Sequence, residues 1–138
     1  MTTVAFAVAL TLAVYLFWGG VGKIRSGWRF TAIVRSWQVF PEILIQPFGA
    51  ALPRLELLTS FLVIVALRVS GLRTYAMLAM IALFGALLCG QIVVAARSAG
   101  ASCGCSGSSS QKIGLVSFTK VGACLGGASF CLFIWAIR

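Results

Sequence analysis

Four long runs of apolar residues make up most of the chain, and short polar stretches separate them. The runs cover residues 2–21, 49–67, 74–96 and 113–137. A helix rises about 1.5 Å per residue, so about 20 apolar residues cross the hydrocarbon core of a bilayer. The pattern therefore predicts four membrane-spanning helices, and their short connections indicate an antiparallel, all-α bundle.

The stretch between the first two runs has a different pattern. Its apolar side chains recur at the spacing of one helix face, and its cationic side chains lie off that face: Phe30, Ile33, Val34 and Trp37 against Arg29 and Arg35. This pattern is typical of an amphipathic helix that lies in the membrane interface. We expect Pro41 and Pro47 to end it.

The composition agrees with this architecture. The 138 residues are 61% hydrophobic and only 9% charged, whereas a soluble domain carries about 25% charged residues. The mean hydropathy is +1.07. A water-soluble core cannot absorb this excess of apolar surface, so we predict a single-domain, multi-pass membrane protein that is surrounded by lipid.

The net charge of +9 does not indicate a nucleic-acid-binding protein. Lysine and arginine mark the ends of the apolar runs, where cationic side chains meet lipid headgroups. The chain also contains no histidine, which removes the commonest general base and the commonest metal ligand. We therefore expect no nucleic-acid partner and no metal.

The connection before the last span carries two cysteines, Cys103 and Cys105, around Gly104. A disulfide requires Cα atoms about 4.4–6.8 Å apart, and a glycine permits the turn that this needs. Such a small ring adds little to stability, and its strain makes the bond easier to reduce. Arg97 and Lys112 flank the pair and favour the thiolate. The pair is therefore a candidate for electron exchange.

Two other interpretations of the cysteine pair stay open. A zinc site needs about four ligands, and two thiols supply half of them. A Cu(I) site from the two thiols and a methionine is chemically consistent with the preferences of that ion. A pair with no special role is the second open interpretation, whereas two thiols alone are too few for zinc.

Lys23 lies at the end of the first predicted span, Glu56 within the second and Lys120 within the fourth. Charge at membrane depth normally faces the bundle interior and has a partner. We predict a polar cluster of these three side chains beneath the cysteine connection. It would tune the thiolate or relay protons; the alternative is a structural ion pair that fixes helix register.

The third span adds two auxiliary candidates. Gln91 could hydrogen-bond a quinone carbonyl, although such a residue more often joins helices. Cys89 is a candidate resolving thiol, whereas Cys124 and Cys131 in the fourth span are expected to act as small apolar side chains. Gly122-x-x-x-Gly126, with Gly127, predicts close helix packing.

An ordered set of short motifs resembles one known family. It consists of Gly20-x-x-Lys23, the basic and aromatic stretch ending at Pro41, Pro53-x-x-Glu56, Cys103-Gly104-Cys105-x-Gly107, and Lys120 in the last span. The set is similar to that of the MauE family of methylamine-utilisation membrane proteins, which are relatives of the DoxX proteins. Members usually have Phe where this chain has Ser106, and often Arg-Asn where it has Lys120-Val121.

The resemblance implies a four-helix protein of the bacterial inner membrane that helps to form or maintain disulfides in exported proteins. It also implies a thioredoxin-like partner, a hetero-complex, and a quinone as electron acceptor. The leading hypothesis is a quinone-linked thiol–disulfide oxidoreductase. The alternative is a non-enzymatic assembly or maturation subunit with a structural or Cu(I)-binding cysteine pair; a subunit of a sulfur-compound:quinone oxidoreductase is a third.

Charge and thiol chemistry predict opposite sides for the cysteine connection. The positive-inside rule counts more lysine and arginine on the side of this connection and would place it in the cytoplasm. Disulfide chemistry requires an oxidising compartment. We expect the extracytoplasmic side, against the charge count.

Overall fold

The computed structural model describes residues 2–39, 41–97 and 115–137, and these are helical apart from short turns. The helices are α1 (Thr2–Ser26), α2 (Trp28–Ser36), α3 (Glu42–Arg68), a 3₁₀ turn (Ser70–Leu72), α4 (Arg73–Arg97) and α5 (Leu115–Ala136). Four of them, α1, α3, α4 and α5, are long and apolar enough to cross a membrane. The predicted all-α architecture with four membrane helices is confirmed.

The four long helices form a ring around one core. α1 packs against α3 and α5, and α4 packs against the same two helices. The core combines small side chains of α1 with larger ones of the other helices, including Ala5, Ala9, Ala13, Val63, Met77, Met80 and Phe84. Consecutive long helices run antiparallel. The last turns of α1 therefore lie at the same end of the bundle as the first half of α3 and the last turns of α4.

Close packing between α1 and α3 depends on small residues. A Cβ added to Gly20 would lie 3.1 Å from the carbonyl oxygen of Pro53 and 3.0 Å from Cγ of Leu57. Further along the same contact between α1 and α3, the hydroxyl of Ser60 donates a hydrogen bond to the carbonyl oxygen of Ala13 at 2.7 Å. Small residues and side-chain hydrogen bonds are the usual means of helix association in lipid, and here they hold α3 directly against α1.

The amphipathic segment forms the short helix α2. Gly27 separates it from α1 and has a φ of 47°, a left-handed conformation that favours glycine. Phe30 and Val34 are buried against Ile45 of α3 and form a second, smaller core. The predicted helical face is thus the one that packs.

The prediction that Pro47 ends the amphipathic segment is wrong. α3 begins at Glu42, directly after Pro41, and continues through both Pro47 and Pro53. A proline removes one backbone donor, but membrane helices tolerate this where neighbouring elements satisfy the freed groups. α2 packs against α3 on either side of this proline, at Ile45 and Gly49, whereas Pro47 itself is exposed.

Candidate functional site at the Lys23 end of the bundle

One end of the bundle, here called the Lys23 end, contains most of those predicted site residues that the structure describes. It contains the last turns of α1, helix α2, the first half of α3 and the last turns of α4. Residues 98–114 connect α4 to α5, so this connection follows Arg97 and precedes Leu115. The predicted residues Cys103, Gly104, Cys105 and Gly107 lie outside the described residues.

A buried ion pair between α1 and α3 lies at this end. Nζ of Lys23 donates a hydrogen bond to Oε1 of Glu56, and the two side chains are only 5% and 2% exposed. The ring of Phe30 lies 5.8 Å from the same ammonium group. Each charge compensates the other in a region where a lone charge would be costly. The structure thus joins two of the three charged residues predicted to cluster.

The second carboxylate oxygen of Glu56 keeps an unused acceptor capacity. Oε2 is buried and accepts no hydrogen bond from the described part of the chain. Buried polar atoms nearly always have partners, and the exceptions occur often at sites of chemistry. Glu56 can therefore hold its Lys23 partner through one oxygen while the other is available for a proton.

An apolar cavity of about 410 Å³ lies between α2, α3 and α4. Its walls are almost wholly hydrocarbon and aromatic, with contributions from Phe30, Trp37, Phe48, Leu52, Leu55, Leu83, Leu87 and Val94. The polar exceptions are Lys23, Gln91 and Cys89. An apolar space with a few convergent polar groups is the usual form of a small-molecule site.

A second cavity, here called the basic groove, lies between the end of α1, helix α2 and α3. Its volume is about 660 Å³, and its lining includes Lys23, Arg35 and Arg54 beside polar Thr31 and Gln46. Lys23 lines both this groove and the apolar cavity. Lys23 therefore lies at the boundary between a polar space and an apolar one, and its partner Glu56 is buried outside the lining of both.

Lys120 does not join the buried pair. Its side chain is exposed on α5, and that helix packs against α1 and α4 rather than α3. Among the described residues the buried pair contains only Lys23 and Glu56. The predicted three-residue cluster is thus reduced to two in the structure.

The auxiliary residues of α4 lie near the site. Gln91 is buried and Cys89 is exposed, and both line the apolar cavity. Arg97 is the last residue of α4 and is exposed, so it lies where the cysteine connection begins. All three are at the predicted end of the bundle.

Two cysteines of α5 have surroundings that fit a packing role. Cys131 is buried, and its thiol donates a hydrogen bond to the carbonyl oxygen of Ala5 at 3.4 Å. Cys124 is partly buried and packs against the main core. Since Ala5 belongs to the first turns of α1, Cys131 lies toward the opposite end of the bundle from Lys23.

Two features of this end were not predicted from the sequence. They are Arg54 in the lining of the basic groove and the Arg35–Glu42 ion pair. Nη2 of Arg35 lies 2.6 Å from Oε1 of Glu42, and both side chains are largely exposed. A signal was present, because the chain has only two acidic residues, and both would be expected to pair with some of its eleven cations. Which cations they pair with depends on helix packing.

Comparison with known proteins supplies the family. No curated protein and no solved structure matches the chain. The model of the family described as "Methylamine utilisation protein MauE" matches residues 1–137, essentially the whole chain. With four helices able to span a membrane, the chain is a multi-pass membrane protein that belongs to the MauE family.

Proposed function

We propose that this protein is a membrane thiol–disulfide redox protein that supports disulfide formation or maturation in partner proteins through Cys103 and Cys105. The observation that carries the proposal is the buried Lys23–Glu56 pair at the end of the bundle from which the cysteine connection starts. A thiol pair that exchanges electrons also releases and takes up protons. In the ion pair, Oε2 of Glu56 accepts no hydrogen bond from the described residues and is available for such a proton.

The exchange follows ordinary thiol–disulfide chemistry. A thiolate of a reduced partner attacks the Cys103–Cys105 disulfide, which forms a mixed disulfide and frees one cysteine of the pair. The partner's second thiolate attacks the mixed bond, so the partner leaves as a disulfide and both cysteines are left reduced. Two electrons and two protons thereby pass from the partner to the pair. A thioredoxin-like protein or an exported thiol protein fits this role.

Glu56 and Lys23 act on protons in this scheme. When the cysteine pair is reoxidised, two protons leave the thiols. Oε2 of Glu56 is a buried acceptor, and Lys23 borders the polar groove. The Lys23–Glu56 pair can therefore take up a proton that the thiols release and pass it to the basic groove.

The apolar cavity fits a quinone as the electron acceptor. Its hydrocarbon and aromatic walls suit a prenylated ring, and Lys23 and the amide of Gln91 are the residues that would hydrogen-bond ring carbonyls. A quinone bound there would accept two electrons and two protons from the thiols. Cys89 lines the same cavity and is the candidate thiol between it and the cysteine connection.

The same chemistry suggests a location. Disulfides form in oxidising compartments, so the proposed site is the bacterial inner membrane with the cysteine connection on the extracytoplasmic side. A membrane-impermeant maleimide applied to intact cells should label reduced Cys103 and Cys105. Labelling only after permeabilisation would contradict this orientation.

The redox proposal is tested by trapping the thiols of the purified protein. Alkylation with and without reductant should show two cysteines that change state together, with a midpoint potential in the range of exchange-active disulfides. Cys103→Ser and Cys105→Ser should each abolish this change and the oxidation of a reduced thioredoxin-like partner. Cys124→Ser is the matched control and should preserve both. A pair that never oxidises, or full activity in Cys103→Ser, would reject the proposal.

A second candidate function is that of a non-enzymatic assembly or maturation subunit. The observation that favours it is on α5, where a Cβ added to Gly122 or Gly126 would meet nothing within 4 Å, whereas one added to Gly127 would contact α1. The Gly122-x-x-x-Gly126 face thus packs against no described helix and suits another membrane helix. Loss of a co-purified partner in Gly126→Leu, with an unchanged thiol potential, would support this role.

A further inference from the structure

The basic groove contains a cation that the chain cannot neutralise. The groove is lined by Lys23 of α1, Arg35 of α2 and Arg54 of α3. The chain has two acidic residues in all. Glu56 pairs with Lys23, and Glu42 pairs with Arg35. Among the described residues Arg54 therefore has no acidic side chain as a partner, and an anion from outside the protein would supply its counter-charge.

The position of Arg54 indicates where this counter-charge comes from. Arg54 is exposed and lies within the candidate span Glu42–Arg68, next to α2. An arginine that faces lipid without a partner is costly, so such residues reach toward headgroups. Trp28 lines the same groove and is largely exposed, as is usual for tryptophan at headgroup level. The groove therefore opens to the lipid headgroup region.

We propose that the basic groove binds the headgroup of one anionic phospholipid, with Arg54 holding its phosphodiester. A guanidinium can donate two parallel hydrogen bonds to phosphate oxygens, a geometry that a lysine does not offer. With both carboxylates already paired, the groove keeps one net positive charge. A zwitterionic headgroup would bring an ammonium group that finds no available carboxylate there, so a net anionic headgroup is favoured.

The bound lipid would join two elements of the protein. α2 and α3 already meet through a close contact, since a Cβ added to Gly49 would lie 3.2 Å from the hydroxyl oxygen of Thr31. Both Thr31 and Gly49 line the groove. A phosphate held by Arg54 beside Lys23 would therefore fix α2 over the buried ion pair. The groove shares Lys23 with the proposed proton path, but lipid binding through Arg54 does not depend on the cysteine pair, so either proposal can fail alone.

Native mass spectrometry of the full chain in detergent tests the proposal. Phosphatidylglycerol, phosphatidylcholine and inorganic phosphate are added in separate titrations. We expect one phosphatidylglycerol to bind in preference to phosphatidylcholine, and no competition by inorganic phosphate at equal concentration. Arg54→Gln should weaken phosphatidylglycerol binding about tenfold or more, as expected for loss of charge-assisted hydrogen bonds. Arg68→Gln, an exposed arginine at the other end of α3, is the matched control and should bind as the wild type does.

Three results would overturn the proposal. These are equal binding by Arg54→Gln and the wild type, equal binding of phosphatidylcholine, and displacement of the lipid by inorganic phosphate. Arg54→Lys keeps the charge but not the paired hydrogen bonds and should have an intermediate affinity. Far-UV circular dichroism of each variant confirms that a lost lipid does not reflect a lost fold.

Discussion

The cationic side chains at the two ends of the bundle have different kinds of partner. At the end opposite Lys23, Arg73 donates hydrogen bonds to the carbonyl oxygens of Ala66 and Leu67 at 3.4 and 3.5 Å. Its guanidinium also lies 5.0 Å from the ring centre of Phe6 and 5.8 Å from that of Trp135. At the Lys23 end the cation instead meets a carboxylate and two cavities.

This difference separates a structural use of charge from a chemical one. Backbone carbonyls and aromatic rings do not change protonation here, so the contacts of Arg73 can only brace α4 against α1, α3 and α5. A carboxylate with an unused oxygen can gain and lose a proton. The Lys23 end is thus the one with capacity for chemistry, and variants at the two ends should have different kinds of effect.

The largest effect is expected from removing one partner of the buried Lys23–Glu56 ion pair. Lys23→Leu would leave Glu56 buried without its cation and should lower the free energy of unfolding in detergent by about 3–5 kcal/mol. The double variant Lys23→Leu/Glu56→Leu removes both charges and should recover most of this loss. A double variant no more stable than the single would show that the two residues do not act as a pair.

The next effect is on turnover. Glu56→Gln keeps the shape of the side chain but removes the proton acceptor, so reoxidation of the cysteine pair should slow by about a hundredfold, a typical acid–base contribution. Stopped-flow oxidation with a quinone analogue measures it. Glu42→Gln, on the exposed pair, is the matched control and should be unaffected. Normal turnover in a well-folded Glu56→Gln protein would leave Glu56 a structural residue only.

A smaller effect tests the apolar cavity. Leu87→Phe adds volume to its wall and should weaken binding of a quinone analogue about tenfold, since overpacking a filled space costs about 1–3 kcal/mol. Binding is reported by quenching of tryptophan fluorescence in a background that keeps Trp37, which lines the cavity, and has phenylalanine at the other three tryptophan positions. Leu58→Phe, on the largely exposed face of α3, should leave it unchanged, and equal binding by both variants would contradict a ligand in this cavity.

The smallest effect is expected at the Arg73 end. Arg73→Gln removes two cation–π contacts and two long hydrogen bonds and should lower the free energy of unfolding by about 1 kcal/mol. Thiol exchange and quinone-analogue binding should stay at the wild-type level. A loss of turnover in this variant would show that the two ends are coupled and would remove the distinction between them.

The sequence predicts the membrane helices well because lipid requires long apolar runs. It also predicts that Lys23 and Glu56 lie near each other, since an unpaired charge in a span is costly. It does not predict the order of the helices around the ring, and this order decides that α5, with Lys120, lies away from α3. The continuation of α3 through Pro47 is not predicted either, because a proline more often marks a helix boundary. The two cavities arise only when α2 packs against α3.

The small number of acidic side chains and their different exposure make the protein simple to modify selectively. A carbodiimide activates carboxyl groups, and Glu42 and Glu56 are the two acidic side chains of the sequence. Glu42 is largely exposed and Glu56 is buried among apolar helices. A water-soluble reagent should therefore label the first and a lipid-soluble reagent the second, so that a single mass measurement follows the occupancy of each carboxyl group through a reaction cycle.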